Sequence, residues 1–273
     1  MKKIAIPLLS VFLLSFSLTA QAQLSAEDYD GKGNNLYTRG DYTAATECFN
    51  KAIEAKPDYA EAYYHRGLVA DKLGAYEASI EDYNKAIELN KEYYLAFLNR
   101  GIAKNRMHDY DAAMKDLNRA IELRSDQAEA YYRRGDCKYT FEDYRGAILD
   151  FSKAISLNAL MPDAYYHRAS AECALQDYKA GILDLDKAIE LYPSAETYIL
   201  RGAAKKELGD AKGAVVDCNE AIKLDPVYAE AYYYRGIAEL MGLGKKNEGC
   251  SDLSKAKDLE YADAFYVIKK YCQ

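Results

Sequence analysis

One stretch of 34 residues recurs along this chain. Residues 60–93 read AEAYYHRGLVADKLGAYEASIEDYNKAIELNKEY, and the opening returns as AEAYYRRG at Ala128 and AEAYYYRG at Ala229, while the closing KAIEL returns at Lys187. A fixed period of this length is typical of stacked repeats, in which each unit buries its apolar face only against its neighbours. We therefore expect a linear stack rather than one spherical core.

Seven repeats follow when the chain is aligned on the glycine of the recurring Arg-Gly dipeptide, which is taken as position 8; repeat 5 has Ala169 there. Apolar or small residues then recur at positions 4, 8, 17, 20, 24, 27 and 28, a helical spacing broken by one turn such as Leu73-Gly74-Ala75. Each repeat thus predicts two antiparallel helices, the second capped by an Asp such as Asp143 or Asp177. The predicted repeats are residues 26–59, 60–93, 94–127, 128–161, 162–194, 195–228 and 229–261.

These residues resemble the tetratricopeptide repeat family. The likeness rests on Tyr29, Gly33, Leu36, Tyr42, Ala45, Phe49, Ala52 and Pro57 in repeat 1, and on Tyr63, Gly67, Tyr76, Ser79, Tyr83 and Ala86 in repeat 2. The resemblance implies an all-α solenoid, a right-handed superhelix of helix-turn-helix pairs whose concave groove is lined mainly by first helices. Residues 262–273 begin like another first helix but carry Lys269 at position 8, so we interpret them as a capping helix with a polar outer face.

The N-terminus has the pattern of a secretory signal peptide, predicted to span residues 1–22. Lys2 and Lys3 precede an apolar run, and Ala20-Gln21-Ala22 offers the small residues at which signal peptidase cleaves. The alternative is an uncleaved membrane anchor, which the shortness of the run and Pro7 disfavour. We expect a mature protein that starts at Gln23, has no membrane span, and is periplasmic, with an extracellular location as the alternative.

The net charge of −7 bears on the kind of partner. Removal of Lys2 and Lys3 makes the mature chain two units more negative still. Nucleic acid is therefore disfavoured as a partner, because binding it requires basic patches that neutralise phosphates.

A polar pattern distinguishes these repeats from the usual family pattern, which has an apolar residue at position 7. Here six repeats combine an Arg at position 7 with an Asp at position 23, and repeat 1 lacks both. We predict one structural ion pair within each of those repeats; the alternative is an anion-binding row of arginines. The pairs are Arg66 with Asp82, Arg100 with Asp116, Arg134 with Asp150, Arg168 with Asp184, Arg201 with Asp217, and Arg235 with Asp252.

Position 11 is charged as well, with Lys104, Lys138, Glu172, Lys205 and Glu239. It lies one helical turn after position 7, so these side chains are expected to join the same network. The spacing predicts two further pairs, Arg168 with Glu172 and Arg235 with Glu239.

Catalytic and metal chemistry have no recognisable motif here. The three histidines are far apart in the repeat register, and neither zinc spacing nor a phosphate-binding loop nor a nucleophile elbow is present. Six cysteines in an exported chain leave two alternatives open, disulfides or small buried apolar residues. Cys137 with Cys173 is one candidate bridge, and a bond among Cys218, Cys250 and Cys272 would hold the cap. We expect no metal, no cofactor and no enzymatic activity, with a thiol-dependent enzyme as a minor alternative.

The concave groove is the remaining candidate for function. The family places positions 2, 5, 6, 9, 12 and 13 inward, and tyrosine with arginine is typical of binding hot spots. The predicted ligand-binding residues are Tyr37, Tyr64, His65, Asn99, Arg106, Tyr132, Arg133, Tyr139, Tyr166, His167, Tyr233 and Tyr234. For any one tyrosine at position 5, the alternative is packing beside the tyrosine at position 4.

We therefore expect a noncatalytic scaffold that binds a protein or peptide segment in this groove. A carboxylate clamp of the co-chaperone type is not supported, because only Asn99 and Arg133 fall at clamp positions. A carbohydrate-binding module is the alternative function, and self-association through the groove or the cap is a further alternative.

Overall fold

The computed structural model describes residues 24–272, which form fifteen α-helices and a π-helical turn, Ala238–Gly242, that follows α13. No strand occurs within these residues. The helices are α1 Ala26–Thr38, α2 Tyr42–Ala55, α3 Ala60–Lys72, α4 Tyr76–Leu89, α5 Tyr94–Arg106, α6 Tyr110–Leu123, α7 Ala128–Thr140, α8 Tyr144–Leu157, α9 Pro162–Ala174, α10 Tyr178–Leu191, α11 Ala195–Glu207, α12 Ala211–Leu224, α13 Ala229–Ile237, α14 Lys246–Asp258 and α15 Ala262–Tyr271.

The turn inside each pair contains a residue with left-handed backbone, followed in five of the seven repeats by an aspartate cap. Position 15 has a positive φ, whether it is a glycine or one of His108, Glu142 and Gln176. The next residue caps the second helix where it is Asp, as when Asp143 accepts a hydrogen bond from the backbone N–H of Gly146. This chemistry ends one helix and starts the next within three residues, so the two helices pack antiparallel.

Large side chains from the second helix fill the space left by small residues on the first. A Cβ added to Gly67 would lie 2.7 Å from the Tyr83 ring, and one added to Gly135 would lie 2.8 Å from Phe151. Tyr83 and Phe151 are fully buried. Position 8 is therefore small in these repeats, because an aromatic ring from the paired helix fills the space that a larger side chain would need.

The helix pairs stack so that contacts are made within a pair and with the next pair along the chain. First helices also contact the first helices on either side, from α1 with α3 through to α11 with α13. A continuous surface of first helices results, and this surface carries the candidate site described below.

The arginines at position 7 connect three helices each. In repeat 4, Arg134 on α7 donates from Nε and Nη2 to both carboxylate oxygens of Asp150 on α8, at 2.8 and 2.6 Å. Its Nη1 donates to Asn118 on α6, at 2.8 Å. The same bidentate pair forms in the other five repeats that have the Arg. A fork of donors thus holds its own pair together and ties it to the preceding one.

The contact with the preceding repeat involves position 25, which the sequence analysis did not single out. The acceptors there are Asn50, Asn84, Asn118, Ser152, Asp186 and Asn219, in order from repeat 1 to repeat 6. The recurrence of a polar residue at this position was the available signal. These arginines already have matched acceptors, which argues against their acting as an open anion site.

Position 11 follows two patterns. Lys104, Lys138 and Lys205 each reach the Asp of their own repeat, at 2.7 to 2.8 Å. The expected pairs of Arg168 with Glu172 and Arg235 with Glu239 do not form. Arg168 instead donates to both carboxylate oxygens of Asp184, and Arg235 to both of Asp252.

The capping helix is held to the preceding pair by a disulfide. Cys250 on α14 bonds to Cys272, directly after α15, while Cys48, Cys137, Cys173 and Cys218 are free thiols. The expected polar outer face of α15 is wrong at two positions, because Phe265 and Tyr266 are exposed.

The predicted signal peptide, residues 1–22, lies outside the described residues. Between residues 24 and 272, no helix has both the length and the apolar character that crossing a membrane requires.

Candidate functional site: the groove of first helices

The N-terminal half of the groove contains a cavity of about 270 Å³ that is lined by α1, α3, α5 and α7 alone. Tyr37, Asn99, Arg106 and Arg133, all predicted as groove residues, contribute to its wall. Arg106 lies 3.6 Å from Asp71, and Arg133 donates from Nε to Glu129 at 2.7 Å. Both arginines are therefore placed at the surface of the groove with a carboxylate neighbour rather than as isolated cations.

The C-terminal half contains a second cavity, of about 320 Å³, between α9 and α11. Two predicted residues, Tyr166 and His167, line it together with Asp163, Glu196 and the exposed Tyr192. Burial among aromatic rings lowers the pKa of His167. This histidine is therefore neutral at pH 7, and the charge of the cavity comes from its carboxylates.

Two of the predicted groove residues are almost fully buried. Tyr64 is 7% exposed and Tyr132 is 8% exposed, because their rings pack on Tyr83 and Phe151 of the paired helices. The Tyr64 hydroxyl accepts a hydrogen bond from Asn99, and burial raises the pKa of Tyr64 to about 12. These two rings therefore contribute to packing within their own repeats, and a role of Tyr64 and Tyr132 in ligand binding stays a prediction.

The other predicted residues are half-buried. His65 contacts Asp30, with 2.7 Å between Nδ1 and Oδ1. Tyr139 packs edge-on against Tyr144, and Tyr233 packs against both Tyr234 and Tyr261. These rings meet edges and tilted faces of other rings, whereas a carbohydrate platform requires a row of open ring faces.

Position 2 was expected to face the groove, but its carboxylates were not among the predicted ligand-binding residues. Glu129, Asp163 and Glu196 line the two cavities, and they belong to a row in the first turn of six first helices. The full row is Glu27, Glu61, Glu129, Asp163, Glu196 and Glu230. Acids at this place also favour the helix dipole, which is why the pattern alone did not separate a binding role from helix stabilisation.

Thiol chemistry has little support in the described chain. Burial raises the pKa of the Cys137 and Cys218 thiols to about 12 and that of Cys173 to about 11. A nucleophilic cysteine requires the opposite shift. Residues 24–272 also contain no group of His, Cys, Asp and Glu arranged to hold a metal ion.

Comparison with known proteins identifies the class that this architecture defines. Models described as "TPR repeat" match residues 33–74 and 108–140, and models described as "Tetratricopeptide repeat" match residues 60–93, 138–196 and 195–228. The chain belongs to the tetratricopeptide repeat family. Comparison with curated proteins gave no match.

Solved structures similar to this chain are tetratricopeptide proteins. YrrB, described as a TPR protein with an unusual peptide-binding site, is 25% identical with a TM-score of 0.61, over 70% of this chain and 99% of YrrB. A tetratricopeptide protein from Parabacteroides merdae is 21% identical with a TM-score of 0.64, over 90% and 96%. The C-terminal part of a protein from Cytophaga hutchinsonii is 18% identical with a TM-score of 0.69, over 86% and 97%. The last two similarities concern the fold alone.

Proposed function

We propose that this protein is an exported, noncatalytic scaffold that binds a peptide segment of a partner protein along its groove of first helices. The observation that carries the proposal is the groove itself, where two cavities offer part-exposed tyrosines, arginines and carboxylates on a rigid stack. A surface that is ordered before binding lowers the entropy cost of holding an extended or helical segment. Similarity to YrrB, a TPR protein with a peptide-binding site, supports the same function.

The carboxylates favour a partner segment with basic side chains. Glu129 lines the N-terminal cavity, and Asp163 and Glu196 line the C-terminal cavity together with Tyr166 and Tyr192. A Lys or Arg of the partner would meet a carboxylate and an aromatic face together, an arrangement that stabilises a cation.

Export and a periplasmic location belong to the same proposal. The signal-like residues 1–22 support them, and so does the Cys250–Cys272 disulfide, because such bonds persist in oxidising compartments. N-terminal sequencing of protein recovered from the periplasm should begin at Gln23; an unprocessed chain in the cytoplasm would contradict export.

Selection from a random peptide library on the immobilised chain, from Gln23 to Gln273, tests the groove. Selected peptides should be rich in Lys or Arg, and their affinity should fall as salt is raised. Replacement Glu196→Gln or Tyr166→Ala should weaken a selected peptide by roughly tenfold, as expected for hot-spot residues. The matched control is Glu77→Gln, which removes an exposed first-turn carboxylate from α4, a second helix, instead of from a first helix. Equal affinity of all variants, or no selected peptide, would contradict groove binding.

A further inference from the structure

Helix α15 occupies the place of a first helix and packs against α14, but in the described chain no second helix follows it to form a pair. Its position 5 residue, Tyr266, is 71% exposed, whereas Tyr64 at the same position of repeat 2 is 7% exposed. Phe265 beside it is 56% exposed. Two large aromatic side chains are thus exposed at the C-terminal end of the stack, whereas the equivalent residues Tyr63 and Tyr64 of repeat 2 are partly or fully buried.

A further helix of the repeat type does not fit closely on this face. Position 8 is Gly or Ala in the seven repeats because the paired helix presses against it, and in α15 it is Lys269. Whatever covers Phe265 and Tyr266 must therefore pack around a lysine rather than continue the stack in the same geometry.

The open face is self-complementary in charge. Asp263 and Lys270 are seven residues apart, so they lie on the same flank of α15, about two turns or roughly 10 Å from each other. Neither forms an ion pair within residues 24–272, although Lys270 lies over the Tyr271 ring, at 5.0 Å from its centroid. Both are exposed, and Tyr266 lies between them along the helix.

We propose that this face binds a second molecule of the same protein, with the two α15 helices antiparallel about a two-fold axis. That arrangement brings Asp263 of each molecule to Lys270 of the other, so the charged contact forms twice. The Tyr266 side chains of the two molecules meet at the centre, and the two helix dipoles oppose each other. The Cys250–Cys272 disulfide holds α15 in place, so the face is ordered before association.

The contact is small, because a helix of 10 residues is only about 15 Å long. A weak, concentration-dependent dimer is therefore expected, rather than a permanent one of standard interface size. This inference does not rest on peptide binding, since no α15 residue lines either cavity and the dimer would form whether or not a peptide is bound.

Sedimentation velocity of the chain from Gln23 to Gln273, over about 1 to 500 µM, tests the proposal. The molecular mass should rise towards twice that of the monomer with concentration. Asp263→Lys alone and Lys270→Glu alone each set like charges opposite each other twice, so each should raise the dimer dissociation constant on the order of tenfold.

Mixing the two variants provides the decisive control. In a mixed dimer each introduced charge meets an opposite charge, so an equimolar mixture should recover the association that each variant alone has lost. A wild-type protein that is monomeric throughout, single variants that associate like the wild type, or a mixture that fails to recover would each overturn the proposal. Tyr266→Ser, which leaves the charges intact, should also weaken the dimer.

Discussion

Glu172 at position 11 has surroundings unlike those of the lysines at the same position of other repeats. In repeats 3, 4 and 6 a lysine at position 11 binds the ion-paired Asp, whereas Glu172 places a second carboxylate beside Asp184. Its Oε2 atom is buried without a hydrogen-bond partner. Burial and then the charge of Asp184 raise the pKa of Glu172 to about 7, while Arg168 partly offsets this.

The stability of the protein should depend on pH through Glu172. A pKa that is higher in the folded state means that folded protein binds the proton more tightly, so stability falls as pH rises from about 5 to about 7 and is level above. Because the side chain is partly exposed, we expect ionisation of Glu172 to lower the free energy of unfolding at pH 8 by only about 1–2 kcal/mol. Glu172→Gln and Glu172→Lys should both raise the urea midpoint at pH 8 and flatten its pH dependence. A Glu172→Gln protein with an unchanged pH profile would contradict this.

Arg134 and Asp150 show what breaking one of the six Arg–Asp ion pairs should cost. Arg134→Ala leaves Asp150 with Lys138 alone and Asn118 without its donor, so about 2–4 kcal/mol of unfolding free energy should be lost. The double variant Arg134→Met with Asp150→Leu removes both charges and should cost less than Arg134→Ala. Urea unfolding of the three proteins measures this; a double variant less stable than the single would contradict it.

At the scale of one helix pair, the turn between the helices determines where each helix ends. The left-handed residue is glycine in repeats 1, 2 and 6, but it is His108, Glu142 or Gln176 in repeats 3 to 5. A side chain in this backbone conformation costs about 1–2 kcal/mol relative to glycine.

Gln176→Gly should therefore raise the free energy of unfolding by about 1 kcal/mol. Gly74→Gln is the reciprocal change and should lower it by a similar amount, because nothing lies within 4 Å of the added Cβ and only backbone strain is introduced. Thermal and urea unfolding followed by circular dichroism measure both. The prediction fails if the two substitutions shift stability in the same direction.

At the scale of the whole molecule, the repeat and its helix pairs could be predicted from the sequence, because hydrophobic periodicity determines which helix faces are buried. Each of the seven first helices begins at position 1 of its repeat, from Ala26 to Ala229. The burial of a given position could not be predicted in the same way, because it depends on which helices pack beside that position. Tyr64 is buried because Tyr83 of α4 and Tyr93 at the start of α5 pack on it, while Tyr266 is exposed because no second helix follows α15 in the described chain. The groove carboxylates remained ambiguous because acids in a first turn also stabilise helices.

Linear stacking also means that a change at one end should have local effects. The Cys250–Cys272 disulfide closes a loop with a sequence separation of 22, and loops of this length contribute about 3 kcal/mol when closed. Cys250→Ser with Cys272→Ser should therefore speed hydrogen exchange of amides in α14 and α15 and, less strongly, in α13. Amides of α1 to α4 should exchange as before, because helix pairs contact only their neighbours and stability in such stacks is a sum of local terms. Uniformly faster hydrogen exchange from α1 to α15 would mean instead that the stack unfolds as one cooperative unit whose stability depends on the capping helix.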